Sequence, residues 1–289
     1  MPELTHLITS VEEGYLLRRV ALSTLGMSQT QFKRAKFQGE LLLDNRPVRA
    51  NERVSAGQRL VVRLPEESGS RLKPYPLPLS IPYRDEGLLV VDKPAPLPSV
   101  SSRIKGPTLE NAIYSHLGCP AHFVYHPVNR LDKGTSGLMV VALTSHVQQR
   151  LQATLHTDAF LREYLAVCEG IPQSEDGVIR QPIAKVDGAS IRRQVAEWGK
   201  PAETYYRVLK QANSRCLLSL ILKTGRTHQI RVHLAWLGCP VVGDFLYGCE
   251  DEALPGRFAL HSHRLKFISP ATGKQVFVES PLPKELHML

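Results

Sequence analysis

The stretch HPVNRLDKGTSGLMVVAL, residues 126–143, places an acidic side chain between two cations, directly before an unbroken apolar run. The apolar residues 138–143 predict a buried strand, and the glycines in front of them let the chain turn tightly. We therefore expect Asp132 to lie at the mouth of a core. On this stretch alone two interpretations stay open: a functional carboxylate in a fixed loop, or a solvated one that pairs loosely with Arg130 or Lys133.

The composition favours a globular protein with a polyanionic partner. The 289 residues carry 36 lysines and arginines against 27 aspartates and glutamates, a formal charge of +9. Such a surplus favours nucleic acid, with an anionic membrane surface as the second candidate. Five scattered cysteines without a C-x-x-C pair indicate neither a disulfide framework nor a zinc ribbon. Without an apolar leader or an apolar run of membrane-spanning length, the sequence predicts a cytoplasmic protein.

The order of the sequence patterns predicts two domains. We expect an N-terminal extension at 1–12, a small α/β domain at 13–65, a linker rich in Pro, Ser and Gly at 66–82, and a second domain at 83–289. The second domain alternates helical and strand patterns irregularly, which is typical of an α+β domain with a mixed, largely antiparallel sheet flanked by helices. The sequence contains no G-x-G-x-x-G, P-loop or repeat, which disfavours a nucleotide-cofactor fold.

The small domain holds most of the excess positive charge. Ten lysines and arginines minus four acids give residues 13–65 a surplus of +6. The capping box SQTQ at residues 28–31 predicts the start of a helix, which is expected to turn Phe32 and Phe37 inward. A basic helix face is often only solvated, but its concentration in so small a domain favours contact with phosphates. The cations expected on the outer or groove-facing side of this helix are Lys33, Arg34 and Lys36.

A second charged cluster occupies residues 224–238, TGRTHQIRVHLAWLG. The pattern predicts a strand end, a glycine turn and a helix. Arg226 precedes the helix, a position suited to meet either a phosphate or a buried carboxylate such as Asp132. Four histidines in this half of the chain lack the spacing of a metalloprotease zinc site and are expected to be structural: His228, His233, His261 and His263.

Taken in order, five motifs resemble the RluA-type family of pseudouridine synthases. They are VVDKP (90–94), NRLDKGTSGL (129–138), REYLA (162–166), GRTHQIRVHL (225–234) and LHSHRLKF (260–267). The resemblance covers the chain from about residue 81 onward and implies the pseudouridine synthase fold. It also implies that Asp132 is the catalytic aspartate, that Tyr164 stacks on the target base, that Arg226 pairs with the aspartate, and that Leu265 lines the base pocket.

The small domain resembles the alpha-L RNA-binding motif, which a ribosomal small-subunit protein shares with many RNA-modifying enzymes. The similarity lies in LLRR (16–19), SQTQFKR (28–34), GELLLDNRPV (39–48) and VSAGQRLVV (54–62). Together the two resemblances imply an RNA pseudouridine synthase that acts as a monomer, without metal or cofactor. Large-subunit ribosomal RNA is the expected substrate, and transfer RNA stays open. The residues expected to contact the substrate are Arg130, Leu265, Lys33, Arg34 and Lys36.

Pseudouridine formation breaks the bond from the sugar to nitrogen 1 of uracil and rejoins the base through carbon 5. A carboxylate serves either as nucleophile or as base, and both routes stay open for Asp132. Two other functions are considered: an RNA-binding factor without catalysis, and a hydrolase in which a second carboxylate assists Asp132 and free uracil is released. The chain departs from the family pattern at Asn129 and Ser269, where the family commonly has histidine.

Overall fold

The computed structural model describes residues 3–65, 72–100, 106–188 and 191–289. A four-stranded antiparallel sheet organises the N-terminal domain, and a ten-stranded mixed sheet organises the larger one. The predicted α+β class is confirmed, with a largely antiparallel sheet in the second domain. Within the described ranges, no helix is long and apolar enough to cross a membrane.

The N-terminal domain joins two helices and four strands around one buried core. Its elements are β1 (Glu3–Leu7), α1 (Leu17–Ser23), α2 (Gln29–Gln38), β2 (Glu40–Leu43), β3 (Arg46–Pro47) and β4 (Arg59–Arg63). The strands lie in the order β1, β4, β2, β3. Strand β1 precedes the domain boundary predicted at residue 13 and pairs with β4 along its length. Leu17, Phe32 and Leu60 belong to the core that the helices and the sheet share.

Helix α2 begins where the capping box predicts. The Ser28 hydroxyl accepts a hydrogen bond from the Gln31 amide at 3.0 Å, and the Gln31 side chain accepts one from the Ser28 amide at 2.9 Å. Phe32 is buried as predicted, but Phe37 is 74% exposed, so its predicted burial is wrong. At about 100° per residue, five positions place Phe37 well around the helix from Phe32, on the outer face. Lys33 and Lys36 are exposed on this helix.

The larger domain is built on the ten-stranded sheet. Its elements are β5 (Ser80–Arg84), β6 (Leu88–Lys93), α3 (Leu109–His116), β7 (His126–Pro127), β8 (Ser136–Ala142), α4 (Ser145–Thr154), β9 (Leu161–Glu169), β10 (Asp176–Ile179), β11 (Ile183–Lys185), β12 (Arg193–Val195), β13 (Thr204–Ala212), β14 (Arg215–Leu222), α5 (Gln229–Trp236), β15 (Leu260–Ile268) and β16 (Gln275–Glu279). The sheet order is β10, β13, β14, β9, β15, β8, β6, β5, with β16 beside β15 and β7 beside β8. Strands β8 and β15 are parallel, and β11 and β12 form a separate hairpin.

Strand β8 is the predicted buried strand of the opening stretch. All seven of its residues are buried, and alternate side chains enter different cores, since Met139 belongs to one cluster and Val140 to another. Gly137 lets β8 approach β15 closely, because a Cβ there would lie 2.3 Å from the carbonyl oxygen of Ser262. The central position of β8 therefore fixes the loop in front of it, which contains Asp132.

The two domains meet at helix α4. The Gln149 side chain accepts a hydrogen bond from the Ser28 amide at 2.6 Å and donates one to the Gly26 carbonyl at 2.8 Å. Gln31 donates to the Ser145 hydroxyl at 3.4 Å. The side-chain amide of Gln149 on α4 thus both accepts a hydrogen bond from, and donates one to, the backbone in front of α2.

Candidate active site

Asp132 lies in the loop between β7 and β8, and the cation that binds it comes from helix α5. Arg231 Nη1 donates to Asp132 Oδ2 at 2.9 Å, and the Asp132 side chain remains 29% exposed. Arg130 and Lys133, its neighbours in the chain, are exposed at the edge of the cavity in front of it. The carboxylate is therefore held by a residue 99 positions away in the chain rather than by an adjacent cation.

The guanidinium of Arg231 is itself fixed by a buried carboxylate. Its Nε and Nη2 donate to the two oxygens of Asp244 at 2.6 and 2.8 Å, a bidentate pair. Arg231 is 2% exposed and Asp244 fully buried, and the ring centroid of Phe258 lies 4.1 Å from the guanidinium carbon. Burial opposes the charge, but the hydrogen bonds and charges of Asp244 and Asp132 raise the pKa of Arg231. One rigid cation thus joins two carboxylates.

The pairing predicted between Arg226 and Asp132 is wrong. Arg226 is half-buried, and its Nε donates to the Pro201 carbonyl at 2.9 Å. The chain takes a left-handed conformation at His228, with φ 58°, before the helix begins. This turn separates Arg226 from the buried helix face on which Arg231 lies. Arg231 adjoins the apolar stripe of α5, and a cation in that position was the sequence signal for a buried ion pair.

His228 lies beside the carboxylate, although the sequence predicts only a structural role for it. Its Nε2 is 3.9 Å from Asp132 Oδ2, and its Nδ1 contacts the Tyr247 hydroxyl at 2.8 Å. Burial lowers the pKa of His228, and the charge of Arg231 acts in the same direction. A neutral ring that accepts the Tyr247 proton at Nδ1 carries its own proton on Nε2, toward Asp132.

The other three histidines have structural partners, as expected. His233 contacts the Thr204 hydroxyl and the Gln181 carbonyl, both at 2.9 Å. His261 lies 3.0 Å from the Ser136 hydroxyl, and His263 lies 2.6 Å from the Ser280 carbonyl. Across the part of the chain that the structure describes, no group of three or more His, Cys, Asp or Glu residues is arranged to hold a metal ion.

Tyr164 on β9 lines the cavity in front of Asp132. It is 5% exposed, and burial raises the pKa of its hydroxyl, so the phenol is neutral at ordinary pH. The cavity has a volume of about 620 Å³. Its lining includes Asn129, Arg130, Leu131, Asp132, Gln152, His156, Arg162, Tyr164, Leu222, Arg226 and His228. The structure therefore brings Arg130, Asp132, Tyr164 and Arg226 to one cavity.

The prediction that Leu265 lines this cavity is wrong. Leu265 is fully buried in the cluster that contains Phe160 and Phe267. Strand β15 has a neighbour on each side, with Arg162 of β9 and Val278 of β16 paired to Leu265, so the side chain is enclosed by the sheet and its core. The apolar wall of the cavity is formed by other residues, which include Leu131, Leu155 and Leu222.

The cations predicted on α2 lie elsewhere. Arg34 lines a different cavity of about 250 Å³, between the two domains, together with His122 and Thr144. The exposed Lys33 and Lys36 are absent from the described lining of the 620 Å³ cavity. Contacts of α2 with a substrate therefore remain predictions.

Lys93 supports the loop that contains Asp132 from the side of the core. It is fully buried, and its Nζ donates to the carbonyls of Leu97, Pro94 and Lys133 at 2.8, 3.1 and 3.4 Å. Burial lowers the pKa of Lys93 to about 7, while the charge of Asp132 acts in the opposite direction. The side chain thus connects the loop after β6 to the residue that follows Asp132.

The two departures from the family pattern both have partners within the fold. Asn129 is buried, and its side-chain oxygen accepts a hydrogen bond from the Val140 amide at 2.9 Å. Ser269 donates to Asp85 at 2.6 Å. Asn129 therefore bonds the loop that contains Asp132 to strand β8.

The site combines a carboxylate held by a buried arginine with an aromatic ring at one cavity of about 620 Å³, and comparisons with known proteins identify the fold as that of a pseudouridine synthase. Residues 87–236 match the family described as RNA pseudouridylate synthase, and the chain belongs to that family, in its RluA-type branch. It is an isomerase whose substrate is RNA.

Two similar bacterial proteins align with nearly the whole chain. The chain is 35% identical over 269 residues to "Uncharacterized RNA pseudouridine synthase YjbO" of Bacillus subtilis (strain 168), covering 92% of this chain and 95% of the relative. It is 31% identical over 315 residues to "Ribosomal large subunit pseudouridine synthase D" of Escherichia coli (strain K12), covering 99% and 94%. The solved structure "Human RNA Pseudouridylate Synthase Domain Containing 1" superposes with a TM-score of 0.59 at 29% identity, covering 71% of this chain and 83% of that one.

Proposed function

We propose that this enzyme isomerises uridines in large-subunit ribosomal RNA, with Asp132 as its catalytic carboxylate. The observation that carries the proposal is the ion pair between Asp132 and Arg231 at the wall of the cavity that Tyr164 also lines. Burying two charges costs several kcal/mol per ion, so such a pair is a poor device for stability alone. Its partly open position beside a cavity favours a functional role.

The chemistry needs an ionised carboxylate at the sugar. The positive charge 2.9 Å from Asp132 Oδ2 stabilises the negative charge. Asp132 then either attacks carbon 1 of the ribose or removes a sugar proton, and in both routes the bond to nitrogen 1 breaks. The uracil turns and carbon 5 bonds to carbon 1 of the sugar, while Asp132 leaves carbon 1 in the first route or returns the sugar proton in the second. The proton on carbon 5 then leaves, and nitrogen 1 gains a proton. The RNA keeps its mass because the step is an isomerisation.

Tyr164 supplies the surface for the detached base. A neutral aromatic ring stacks on any base and contributes about 1–3 kcal/mol per base. The base must leave its helix or loop to reach the cavity, and stacking on the ring offsets part of the cost of that extrusion. Leu131 and Leu222 add apolar surface to the same wall.

The lining of the cavity favours isomerisation over hydrolysis. Glycosidases work with two carboxyl groups, whereas Asp132 is the one acid among the described residues that line the 620 Å³ cavity. Asp244, the other carboxylate bound to Arg231, is fully buried. A second carboxylate with access to the sugar is therefore lacking in the described part of the site.

The choice of ribosomal RNA rests on charge and on the relatives. Residues 13–65 carry a surplus of +6 positive charges. We propose that these residues form an alpha-L RNA-binding domain, with Lys33, Arg34 and Lys36 as phosphate contacts. We further propose that residues 83–289 are the catalytic domain. Several relatives are named large-subunit pseudouridine synthases. Phosphate contacts add affinity without base identity, so they do not select the uridine.

Replacing Asp132 by asparagine tests the catalytic role. We expect Asp132→Asn to keep its fold and its RNA affinity but to form no pseudouridine, while the control Asp176→Asn, an exposed carboxylate on β10, keeps full activity. Pseudouridine formation is followed by the release of tritium from carbon 5 of labelled uridine. Turnover by Asp132→Asn near the wild-type rate would contradict the role, and loss of RNA mass would indicate a hydrolase.

The substrate class is tested in cells. Pseudouridines are mapped in total RNA from a strain that lacks the gene, with wild type and Asp132→Asn as complementing alleles. We expect one or more sites in large-subunit ribosomal RNA to disappear and to return only with the wild-type allele. Loss confined to transfer RNA would overturn the ribosomal assignment and leave the chemistry intact.

A further inference from the structure

A tight turn at residues 196–199 presents a tryptophan to solvent next to the active site. Trp198 is 74% exposed. The turn is closed by a hydrogen bond from the Gly199 amide to the Ala196 carbonyl at 2.8 Å, and Lys200 and Ile183 exchange two backbone hydrogen bonds of 2.9 Å. The backbone that carries the indole is therefore held against strand β11.

Gly199 makes this arrangement possible. A Cβ at that position would lie 2.6 Å from the carbonyl carbon of Ile183 and 2.8 Å from the Ala196 oxygen. Such contacts are too short for a side chain, so the turn packs on β11 only with glycine here. The fold thus holds a large apolar ring outward at a fixed place, although burying it would be favourable.

Trp198 borders a groove rich in positive charge. The groove has a volume of about 560 Å³, and its lining includes the cations Lys185, Arg193, Lys200 and Arg226. The segment 183–200 contains four cations, at 185, 192, 193 and 200, against the two acids Asp187 and Glu197. An exposed aromatic among cations is the arrangement by which proteins bind single-stranded nucleic acid, because bases stack on the ring and phosphates meet the cations.

The groove adjoins the catalytic cavity. Residues 225–227 line both, so the two spaces share one loop as their border. The hairpin also connects to the catalytic residues through Tyr247, whose hydroxyl accepts a hydrogen bond from the Arg193 amide at 2.9 Å and contacts His228 at 2.8 Å. His228 is in turn 3.9 Å from Asp132. RNA that enters the cavity therefore passes within reach of the hairpin.

We propose that this groove binds the unpaired nucleotides that flank the target uridine, with one base stacked on Trp198 and the backbone phosphates on Lys185, Lys200 and Arg226. The inference rests on RNA as the substrate and extends the proposed function from the target base to its neighbours. Target sites whose flanks are single-stranded are then favoured over uridines in a continuous helix, because paired bases have no free face for the indole.

The two tryptophans of the chain allow a direct test by fluorescence. Trp236 lies on α5, is 52% exposed and is absent from the described lining of the groove. In an Asp132→Asn background that prevents turnover, Trp236→Phe leaves Trp198 as the reporter, and Trp198→Phe leaves Trp236. The probes are an unstructured uridine-containing oligoribonucleotide and the same sequence in an RNA duplex.

Stacking predicts that the single-stranded probe quenches Trp198 emission and leaves Trp236 emission nearly unchanged, whereas the duplex has little effect on either. Trp198→Ala should weaken binding of the single strand by about 5- to 150-fold, corresponding to the loss of one stacked base. Trp198→Phe should retain most of the affinity, and Trp236→Ala should match wild type. Unchanged Trp198 emission at saturating RNA, with Trp198→Ala binding as tightly as wild type, would overturn the proposal.

A kinetic and a salt measurement separate the groove from the catalytic role of Asp132. With a substrate that has unpaired nucleotides on both sides of the target uridine, Trp198→Ala should raise KM and leave kcat near the wild-type value. The reason is that contacts to these nucleotides contribute equally to binding of the substrate and of the transition state. The Lys185→Gln, Lys200→Gln double variant should reduce the slope of log affinity against log salt by about 1.4, or about 0.7 per phosphate contact. A fall in kcat with unchanged KM and slope would refute flank binding. These readouts use defined RNA, so they stand whether or not the cellular target is ribosomal.

Discussion

Replacing Arg231 by methionine removes the cation that joins Asp132 to Asp244. Asp244 is fully buried and accepts two hydrogen bonds from Arg231. It also accepts hydrogen bonds from the backbone amides of Leu246 and Tyr247. Without Arg231 its charge lacks a counter-ion in the core, which costs about 3–5 kcal/mol. For a chain of this size each kcal/mol lowers Tm by about 2–4 °C, so we expect a decrease of roughly 6–20 °C.

A second substitution separates the two functions of Arg231. Asp244→Asn in the Arg231→Met background removes the uncompensated charge, so the double variant should regain at least half of the lost stability. Its activity should stay low, because Asp132 still lacks its partner, and a displaced catalytic group costs about 10²-fold in rate. Arg226→Met, which removes a half-buried cation from the lining of the same cavity together with one hydrogen bond to Pro201, is the matched control and should lower the unfolding free energy by about 1 kcal/mol or less.

Thermal unfolding followed by circular dichroism, together with tritium release from labelled RNA, checks both outcomes. If the double variant unfolds at the temperature of Arg231→Met, the instability does not come from an unpaired Asp244. If Arg226→Met loses as much activity as Arg231→Met while Arg231→Met keeps its stability, the assignment of Arg231 as the structural partner of Asp132 is refuted.

Two further outcomes concern support of the site. Burial lowers the Lys93 pKa from 10.5 to about 7, so between pH 7 and pH 10.5 the unfolded chain binds more protons than the folded one. The free energy of unfolding of wild type relative to Lys93→Met should therefore rise with pH, by at most about 5 kcal/mol. A difference in denaturant stability that does not change from pH 7 to pH 10 would contradict the lowered pKa of Lys93. Gln149→Ala removes two hydrogen bonds between the domains, each contributing about 0.5–1.5 kcal/mol. The variant should increase amide hydrogen exchange at the start of α2, whereas Arg150→Ala, at the exposed neighbouring residue, should not. Equal exchange in both variants would exclude this contact as the link between the domains.

Local patterns were sufficient for the elements that present the site. The apolar run at residues 138–143 predicts strand β8, and the strand is found at Ser136–Ala142 with every residue buried. The capping box predicts the start of α2, where Ser28 and Gln31 bond each other. These features depend on residues a few positions apart, so hydrogen bonding and side-chain periodicity within a short segment decide them.

Contacts between distant segments were not predictable in the same way. Arg226 and Arg231 are five positions apart, and the sequence pattern predicts only Arg226 as a partner for a carboxylate on another loop. Because of the left-handed residue His228 and the start of α5, Arg226 lies half-buried at the cavity wall and Arg231 lies in the core. Leu265 likewise belongs to a strand whose enclosure depends on neighbours from two other parts of the chain.

The sequence by itself determined the chemistry available to this protein: the carboxylate in a glycine-containing loop, the surplus of positive charge and the order of the motifs. The tertiary structure alone decided which cation meets Asp132 and that Trp198 borders the same loop as Arg226. The physical reason is separation along the chain, because Asp132 and Arg231 lie 99 positions apart and are brought together by packing of the whole sheet and its cores. Such a contact has no signature within any short segment.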